Sequence, residues 1–237
     1  RYANADALAR LERVRRLLDV HASEAAGEHS ARIAYLSGKA CQGLSRFADA
    51  AEHFGRFARE RGHPLPLSRR GILTRLPVEI AEQGLRRLGV PGIARHPDDV
   101  ERAKVRSRLY TAFAEHAYFN NDALRLLYFT ISALNRAERA GAAPETAEGL
   151  GAMAIGLGAA GWHRLGRLYR GKAVAVAERD GDPALIGFTH LLATVYSIDA
   201  ADWDGVDRHG AAGRAACARA GDRFRMQTCE LLMAFAM

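Results

Sequence analysis

Three glycines and one glutamate stand in the order of a dinucleotide-binding turn. The segment AIGLGAAGWHRLGRLYRGKAVAVAERDG, residues 154–181, places Gly156, Gly158 and Gly161 as GxGxxG and Glu178 after a helix-like stretch. In such a site the glycines lie against the pyrophosphate and the carboxylate binds the ribose hydroxyl. The pattern requires a buried strand before the first glycine, but the preceding EGLGAMAI contains only one β-branched residue. We therefore keep a dinucleotide-binding enzyme as an alternative only, and we expect no cofactor.

The other chemically active residue types form no recognisable catalytic or metal-binding pattern. Gly171–Lys172 is followed by Ala, so the phosphate-loop sequence is not completed. The nine histidines include no HExxH motif and no helical i, i+4 pair. Cys41, Cys217 and Cys229 form no CxxC and are odd in number, which favours a reducing, cytoplasmic location. We predict no catalytic residue, no metal site and no enzymatic activity in this chain.

The charge balance allows an anionic partner without specifying one. The formal net charge is +7, with 34 Lys and Arg against 27 Asp and Glu. The arginines are spread at helical spacing, which is typical of solvated helix faces, and a nucleic-acid-binding module using the Arg-rich helices is the alternative. The longest apolar run, around 149–162, is short and Gly-rich, so we predict neither a membrane partner nor a signal peptide. The chain lacks an initiator Met, and we expect a longer parent protein.

Helical blocks, which would have to position any site, recur with a period of 40 residues. Helical blocks close at Gly141, Gly181 and Gly221, and glycine commonly ends a helix in the left-handed conformation. At the same shift, small residues coincide on one helix face and arginines coincide near the helix C-terminus, where a cation is favourable. The aligned columns are Ala133, Ala173 and Gly213; Ala137, Ala177 and Cys217; and Arg139, Arg179 and Arg219. A constant period in this range predicts stacked helical hairpins.

Turn signals divide the chain into eleven predicted helices. They cover about 4–20, 23–43, 46–61, 69–88, 99–119, 122–140, 144–160, 162–180, 183–200, 203–220 and 223 onward. Asp122 is the expected N-cap of its helix, and Pro144 and Pro183 suit first-turn positions. Trp162 and Trp203, near the starts of second helices, are expected to pack inside their hairpins.

Two segments carry a resemblance to helical-repeat proteins. Residues 31–62, ARIAYLSGKACQGLSRFADAAEHFGRFARERG, resemble a tetratricopeptide repeat, with Gly38 at the small position of the first helix and Ala50 and Phe54 at the small and aromatic positions of the second. Residues 99–221 resemble the repeat region of bacterial multidomain regulators, in which cyclase-type and AAA/STAND ATPase-type domains precede the repeats. That likeness is carried by YFNNDALRLLYFTISALNRAERAG (118–141), PETAEGLGAMAIGLGAAGWHRLGRLY (144–169) and GDPALIGFTHLLATVYSIDAADW (181–203).

The resemblance implies an all-α, tetratricopeptide-like right-handed superhelix of antiparallel helical hairpins. We expect a single α-solenoid region over 1–237. It would comprise the repeat 31–62, an irregular Pro-containing connector with one helix over 63–98, hairpins at 99–141, 142–181 and 182–221, and the start of a further repeat at 222–237. In such superhelices the first helix of each pair lines the concave groove that holds a partner. The groove candidates are Tyr35, Lys39, Gln42, Tyr110 and Glu115.

The expected function is therefore a non-catalytic scaffold for protein–protein or interdomain interaction. By resemblance it is the regulatory or sensor region of a larger bacterial signalling ATPase or nucleotidyl cyclase. The expected partner is a protein or peptide in the groove, or another domain of the same chain. Neither a cyclase nor a nucleotide-binding domain is recognisable within the sequence, so no catalytic residue of such domains is assigned.

Overall fold

A computed structural model describes residues 2–20, 26–62, 65–66, 68–88 and 97–235, and all regular structure in these ranges is α-helical. The helices are α1 (Tyr2–Val20), α2 (Ala26–Gly43), α3 (Phe47–Glu60), α4 (Arg69–Arg87), α5 (Pro97–Phe119), α6 (Ala123–Ala140), α7 (Ala143–Ala159), α8 (His163–Asp180), α9 (Pro183–Asp199), α10 (Trp203–Ala220) and α11 (Arg223–Phe235). The predicted all-α class is confirmed. The expected helix start at residue 23 and the connector residues 63–64, 67 and 89–96 lie outside the described residues.

Left-handed glycines end α6, α8 and α10 where the 40-residue period places them, and Gly161 lies in the turn between α7 and α8. Gly141, Gly161, Gly181 and Gly221 have φ of 62°, 79°, 84° and 71°. A side chain in this region is strained, so glycine is favoured at these turns. The amide of Gly181 donates to the carbonyl of Ala177 over 3.1 Å, which satisfies one of the last carbonyls of α8.

Aspartates cap the N-termini of four helices, α6, α9, α10 and α11. Asp122 Oδ1 accepts from the amide of Arg125 over 3.0 Å, as expected for an N-cap of α6. Asp182 caps α9 through the amide of Ala184 over 3.0 Å, with Pro183 as the first helical residue. Asp202 and Asp222 accept equivalent bonds from the third residue beyond them. The starts of these four helices are thus fixed by side chains next to the turns.

Unit 1, Arg1–Ala81 with Arg108–Phe129, is held by close helix approach and aromatic rings. Within it α1 contacts α2, and α2 contacts α3. A Cβ atom on Gly38 of α2 would lie 2.7 Å from the Phe54 ring of α3, so only glycine allows this distance. Phe54 and Ala50 are 1 % and 3 % exposed. A second group of rings connects α5 with α6, formed by Tyr110, Phe113, Tyr128 and Phe129.

Unit 2, Glu82–Ser107 with Thr130–Met237, is a stack of helical hairpins. Helix α7 contacts α8 and α9, and α9 contacts α8, α10 and α11. The first helices α7, α9 and α11 therefore follow one another, with the second helices against them. The aligned small residues are buried at these helix contacts: Ala133, Ala137, Ala173, Ala177, Gly213 and Cys217.

The C-terminal part of α4, from Glu82 onward, belongs to unit 2 and is held there by a buried polar network. Gln83, which is 3 % exposed, donates from Nε2 to Asn135 Oδ1 over 2.7 Å and to Glu138 Oε2 over 2.9 Å. Tyr169 of α8 donates its hydroxyl to Gln83 Oε1 over 3.2 Å. The end of the helix predicted inside the connector therefore contributes polar side chains to unit 2.

Candidate functional site

Three of the predicted groove residues lie together in unit 1. Gln42 on α2 donates from Nε2 to Glu115 Oε2 on α5, and the charge of Lys39 acts on the same carboxylate. Tyr35 lies on the same side of α2, one turn before Lys39, and its ring contacts Phe54 at 5.8 Å between centroids. We call Tyr35, Lys39, Gln42 and Glu115 the first-helix surface of unit 1. Residues four apart on a helix share one face, which explains the placement of the α2 residues.

Glu115 is the electrostatically distinctive member of this surface. Desolvation raises the pKa of its carboxyl group, and the positive charge of Lys39 partly opposes that rise. Solvent still reaches the side chain, so a partner can reach it as well. Because Glu115 is an exposed residue, neighbouring atoms remove only part of the water around its carboxylate, which can still accept a hydrogen bond from a partner. The first-helix surface of unit 1 is thus suited to binding a donor at Glu115.

Tyr110, the fifth groove candidate, is placed differently. Its side chain is 5 % exposed, and its ring contacts Tyr128 and Phe129 with centroid distances of 6.2 and 5.7 Å. Tyr110 therefore packs between α5 and α6 and offers almost no surface to a partner. The spacing along α5 did not fix which side of the helix faces outward, and Glu115 and Tyr110 lie on different sides.

The GxGxxG segment forms a helix, a turn and a second helix. Gly156 and Gly158 lie inside α7 and Gly161 lies in the turn before α8, whereas a dinucleotide site needs a strand before the first glycine. A Cβ atom on Gly156 would meet no atom within 4 Å. One on Gly158 would lie 3.0 Å from the Tyr196 ring of α9, so this glycine serves helix contact. The glycines do not have the geometry of a phosphate-binding turn.

A buried histidine pair in unit 2 was missed by the sequence argument. The Nδ1 atoms of His190 on α9 and His209 on α10 lie 3.0 Å apart, and the side chains are 8 % and 9 % exposed. One nitrogen must donate and the other accept, so both cannot be protonated at Nδ1 in this contact. Burial lowers the pKa of both, that of His209 to about 4. The two histidines lie 19 residues apart on antiparallel helices of one hairpin, so no i, i+4 spacing relates them.

Two buried thiols adjoin this region. Cys217 and Cys229 are both fully buried and free. Burial raises the pKa of both thiols, that of Cys229 to about 11, so that the nucleophilic thiolate is disfavoured. These cysteines therefore behave as small core residues at the contacts of α10 with α9 and α11, where Gly187 and Gly213 leave room for the sulfur atoms.

Trp162 and Trp203 do not pack inside their hairpins, which corrects the sequence-based expectation. They are 63 % and 52 % exposed. The space between the hairpins at this end is taken by Tyr196, which is fully buried and donates its hydroxyl to the carbonyl of His163 over 2.9 Å. A Cβ atom on Gly166 would lie 2.5 Å from the same ring. The tryptophans are therefore left on the outside.

Searches beyond these surfaces give no further assignment. Among the residues that the structure describes, no three His, Cys, Asp or Glu side chains are placed to hold a metal ion. In the same ranges, no helix combines the length and apolar character needed to cross a membrane. No family model, curated protein or solved structure matches the chain. Function must therefore be inferred from the surfaces described above.

Proposed function

We propose that the chain is a non-catalytic interaction scaffold with a tetratricopeptide-like superhelical arrangement. The observation that carries the proposal is the meeting of Lys39, Gln42 and Glu115 on the first-helix surface of unit 1. In such scaffolds the first helices hold a partner segment. In line with the resemblance of residues 99–221, we propose a regulatory role inside a larger cytoplasmic signalling ATPase or nucleotidyl cyclase.

The chemistry of this surface supports recognition of a polar segment. It offers an ammonium group, an amide and a partly desolvated carboxylate on two neighbouring helices, beside the ring of Tyr35. A partner that places a hydrogen-bond donor at Glu115 and a carboxylate at Lys39 would form charge-assisted hydrogen bonds with both. The partner is either a segment of another protein or another domain of the same chain.

Site-specific photo-crosslinking tests the proposal in the intact parent protein inside its cell. A photo-reactive p-benzoylphenylalanine at Leu36, which is 41 % exposed on α2, should give one discrete adduct. Lys39→Glu should reduce that adduct at least about tenfold, because it replaces an attractive charge with a repulsive one. Arg75→Glu, the same charge change on an exposed residue of α4, should leave it unchanged.

Two results would contradict the proposal. One is the lack of any adduct at position 36, or an adduct that is equally strong in the Lys39→Glu protein. The other is cyclase activity or ATP hydrolysis by residues 1–237 alone, because a scaffold without catalytic groups should have neither.

A further inference from the structure

The outward face of α8 exposes large apolar side chains. Leu165 and Leu168 are 45 % and 47 % exposed, and Trp162, immediately before the helix, is 63 % exposed. The buried face of the same helix is formed by Gly166, Tyr169, Ala173 and Ala177. Leu165 and Leu168 are three residues apart and therefore lie next to each other on the surface. The second helix of a hairpin normally carries polar residues on this side.

Cations surround these apolar residues. Arg164 and Arg167 are exposed, and Lys172 follows Leu168 by one turn. Within the described part of the chain, no hydrogen bond or ion pair involves Arg164, Arg167 or Lys172. Arg170, by contrast, donates to Ser197 Oγ over 3.0 Å and to Asp202 Oδ2 over 2.9 Å. The outward face of α8 therefore combines three cations without partners and an apolar centre.

The neighbouring hairpin shows that this composition is not a general consequence of the repeat. At the 40-residue shift, Arg164, Arg167 and Leu168 of α8 correspond to Asp204, Asp207 and Arg208 of α10. All three α10 residues are exposed. The structural role of a second helix is thus met without an apolar, basic outer face. The outward face of α8 has features that the fold alone does not require.

We propose that the outward face of α8, defined by Trp162, Arg164, Leu165, Arg167, Leu168 and Lys172, binds an acidic amphipathic helix of a partner protein. Apolar residues of the partner would cover the leucines and Trp162, and its Glu or Asp residues would meet the cations. Tryptophan and arginine are the residue types most often found at energetically dominant interface positions. A Cβ atom on Gly171 would meet no atom within 4 Å, so this position leaves space for a helix backbone.

The charges around this face favour a patterned protein partner over a uniformly anionic one. Glu178 and Asp180 stand exposed near the end of α8, and Asp204 follows the exposed Trp203. A membrane surface or a nucleic acid would be repelled by these carboxylates, whereas a protein helix can match both signs. A second copy of this face would bring like charges together, so self-association through it is also disfavoured.

The outward face of α8 shares no residue with the first-helix surface of unit 1, so binding there is independent of the proposed function. Its test uses a synthetic 18-residue helical peptide with leucines on one face and glutamates flanking them. A matched peptide carries lysines in place of the glutamates. Titration of the intact chain, followed by isothermal calorimetry, should show saturable binding of the acidic peptide and at least about tenfold weaker binding of the basic one.

Single substitutions locate the binding. Leu168→Glu and Arg167→Glu should each weaken binding of the acidic peptide at least about tenfold, since one removes an apolar anchor and the other reverses a charge. Arg208→Glu, at the α10 position that corresponds to Leu168, should change it less than about twofold. Lys39→Glu should also leave it unchanged, which separates this test from that of the proposed function.

Several outcomes would overturn the inference. They are no saturable binding of the acidic peptide, equal binding of the basic peptide, or binding that Leu168→Glu and Arg167→Glu do not weaken. Tighter binding to phosphatidylserine-containing vesicles or to a nucleic-acid duplex would assign the face to that partner instead. Dimerisation of the chain that Leu168→Glu abolishes would assign it to a second copy.

Discussion

The histidine pair links the protonation state of single residues to the stability of unit 2. His190 and His209 join α9 to α10 through their Nδ1 atoms, and Glu178 Oε1 lies 4.0 Å from the other ring nitrogen of His190. Burial is the main cause of the lowered pKa of both rings, and the nearby charges of Arg170 and Arg208 lower that of His209 further. If both rings were charged, both Nδ1 atoms would carry a proton and the shared hydrogen bond would be lost.

We expect the free energy of unfolding to fall as the pH drops from about 6.5 towards 4. The unfolded chain binds protons at the ordinary histidine pKa, whereas folded His209 resists protonation until about pH 4. A difference of this size corresponds to about 3 kcal/mol for His209. Urea unfolding at a series of pH values measures this change, because the midpoint and slope of each transition give the free energy of unfolding.

Substitution of His209 by Asn provides the control. Asn places an amide near the position of Nδ1 but does not titrate, so the pH dependence between about 6.5 and 4 should become shallower. His29→Asn, at an exposed position on α2, should leave the pH dependence unchanged. A wild-type stability that is constant over this range would contradict a neutral buried pair.

The single side chain of Gln83 connects α4 with α6 and α8 of unit 2. It contacts Asn135, Glu138 and Tyr169 at once, and each of these lies more than fifty residues away in sequence. We expect Gln83→Met to lower the free energy of unfolding by about 1–3 kcal/mol, because it removes the buried hydrogen bonds of Gln83 with Asn135, Glu138 and Tyr169. Gln227→Met on the exposed side of α11 should cost less than about 0.5 kcal/mol. If urea unfolding showed equal losses of free energy in the two variants, the hydrogen-bond network of Gln83 would not contribute to stability.

At the scale of helices, glycine has two opposite roles around α7 and α8. Gly166 faces the Tyr196 ring, where a Cβ atom would lie only 2.5 Å from Cε2, so α9 can approach only because this side chain is missing. Gly156 faces open space, and its flexibility only weakens α7. The same residue type is thus required at one position and unfavourable at the other.

We therefore expect Gly166→Ala and Gly156→Ala to change stability in opposite directions. Gly166→Ala should destabilise by about 1–3 kcal/mol because α9 must move away. Gly156→Ala should stabilise by about 0.5–1 kcal/mol, as expected for an exposed helix interior. Thermal unfolding of the two variants gives the comparison. Stabilisation by both substitutions would mean that the Tyr196 contact is not tight.

The sequence was informative about helices and much less so about their partners. The turn glycines and the capping residues Asp122 and Pro183 act locally, so the helix limits could be predicted from neighbouring residues. Lys39 and Gln42 share a face by spacing alone. The contact of Gln42 with Glu115, and the burial of Tyr110, depend on how each helix is rotated about its axis. A period of 40 residues does not specify that rotation.

At the scale of the whole chain, the count of 34 Lys and Arg residues overstates the positive surface that nucleic acid would meet. In the described residues, many arginines already have a carboxylate beside them, which reduces the local potential. These pairs are Arg10–Asp6, Arg46–Asp49, Arg86–Glu82, Arg87–Glu138, Arg125–Asp122, Arg139–Glu82, Arg170–Asp202, Arg214–Glu230 and Arg225–Asp222. Arg139, for example, has both a helix C-terminus and Glu82 as favourable neighbours.

We accordingly expect only weak binding to nucleic acid. Phosphate binding releases counterions, so a protein that contacts six or more phosphates loses about 10³-fold or more in affinity between about 50 and 200 mM salt. Because many of its arginines already lie beside a carboxylate, this chain should contact few phosphates and show a shallow salt dependence. Fluorescence anisotropy of a labelled random-sequence duplex measures both affinity and slope.

A submicromolar affinity near 150 mM salt, with a steep salt dependence, would instead support the nucleic-acid-binding alternative. Charge-reversal variants would then show which cations bind the nucleic acid. If Arg164→Glu and Arg167→Glu abolished that affinity, the outward face of α8 would be the nucleic-acid surface, despite the carboxylates of Glu178 and Asp180 near its end. If they left it unchanged, the paired arginines elsewhere would have to exchange their carboxylates for phosphates. That exchange would cost each buried carboxylate its partner, and Glu138 is the most enclosed of the carboxylates in the ion pairs.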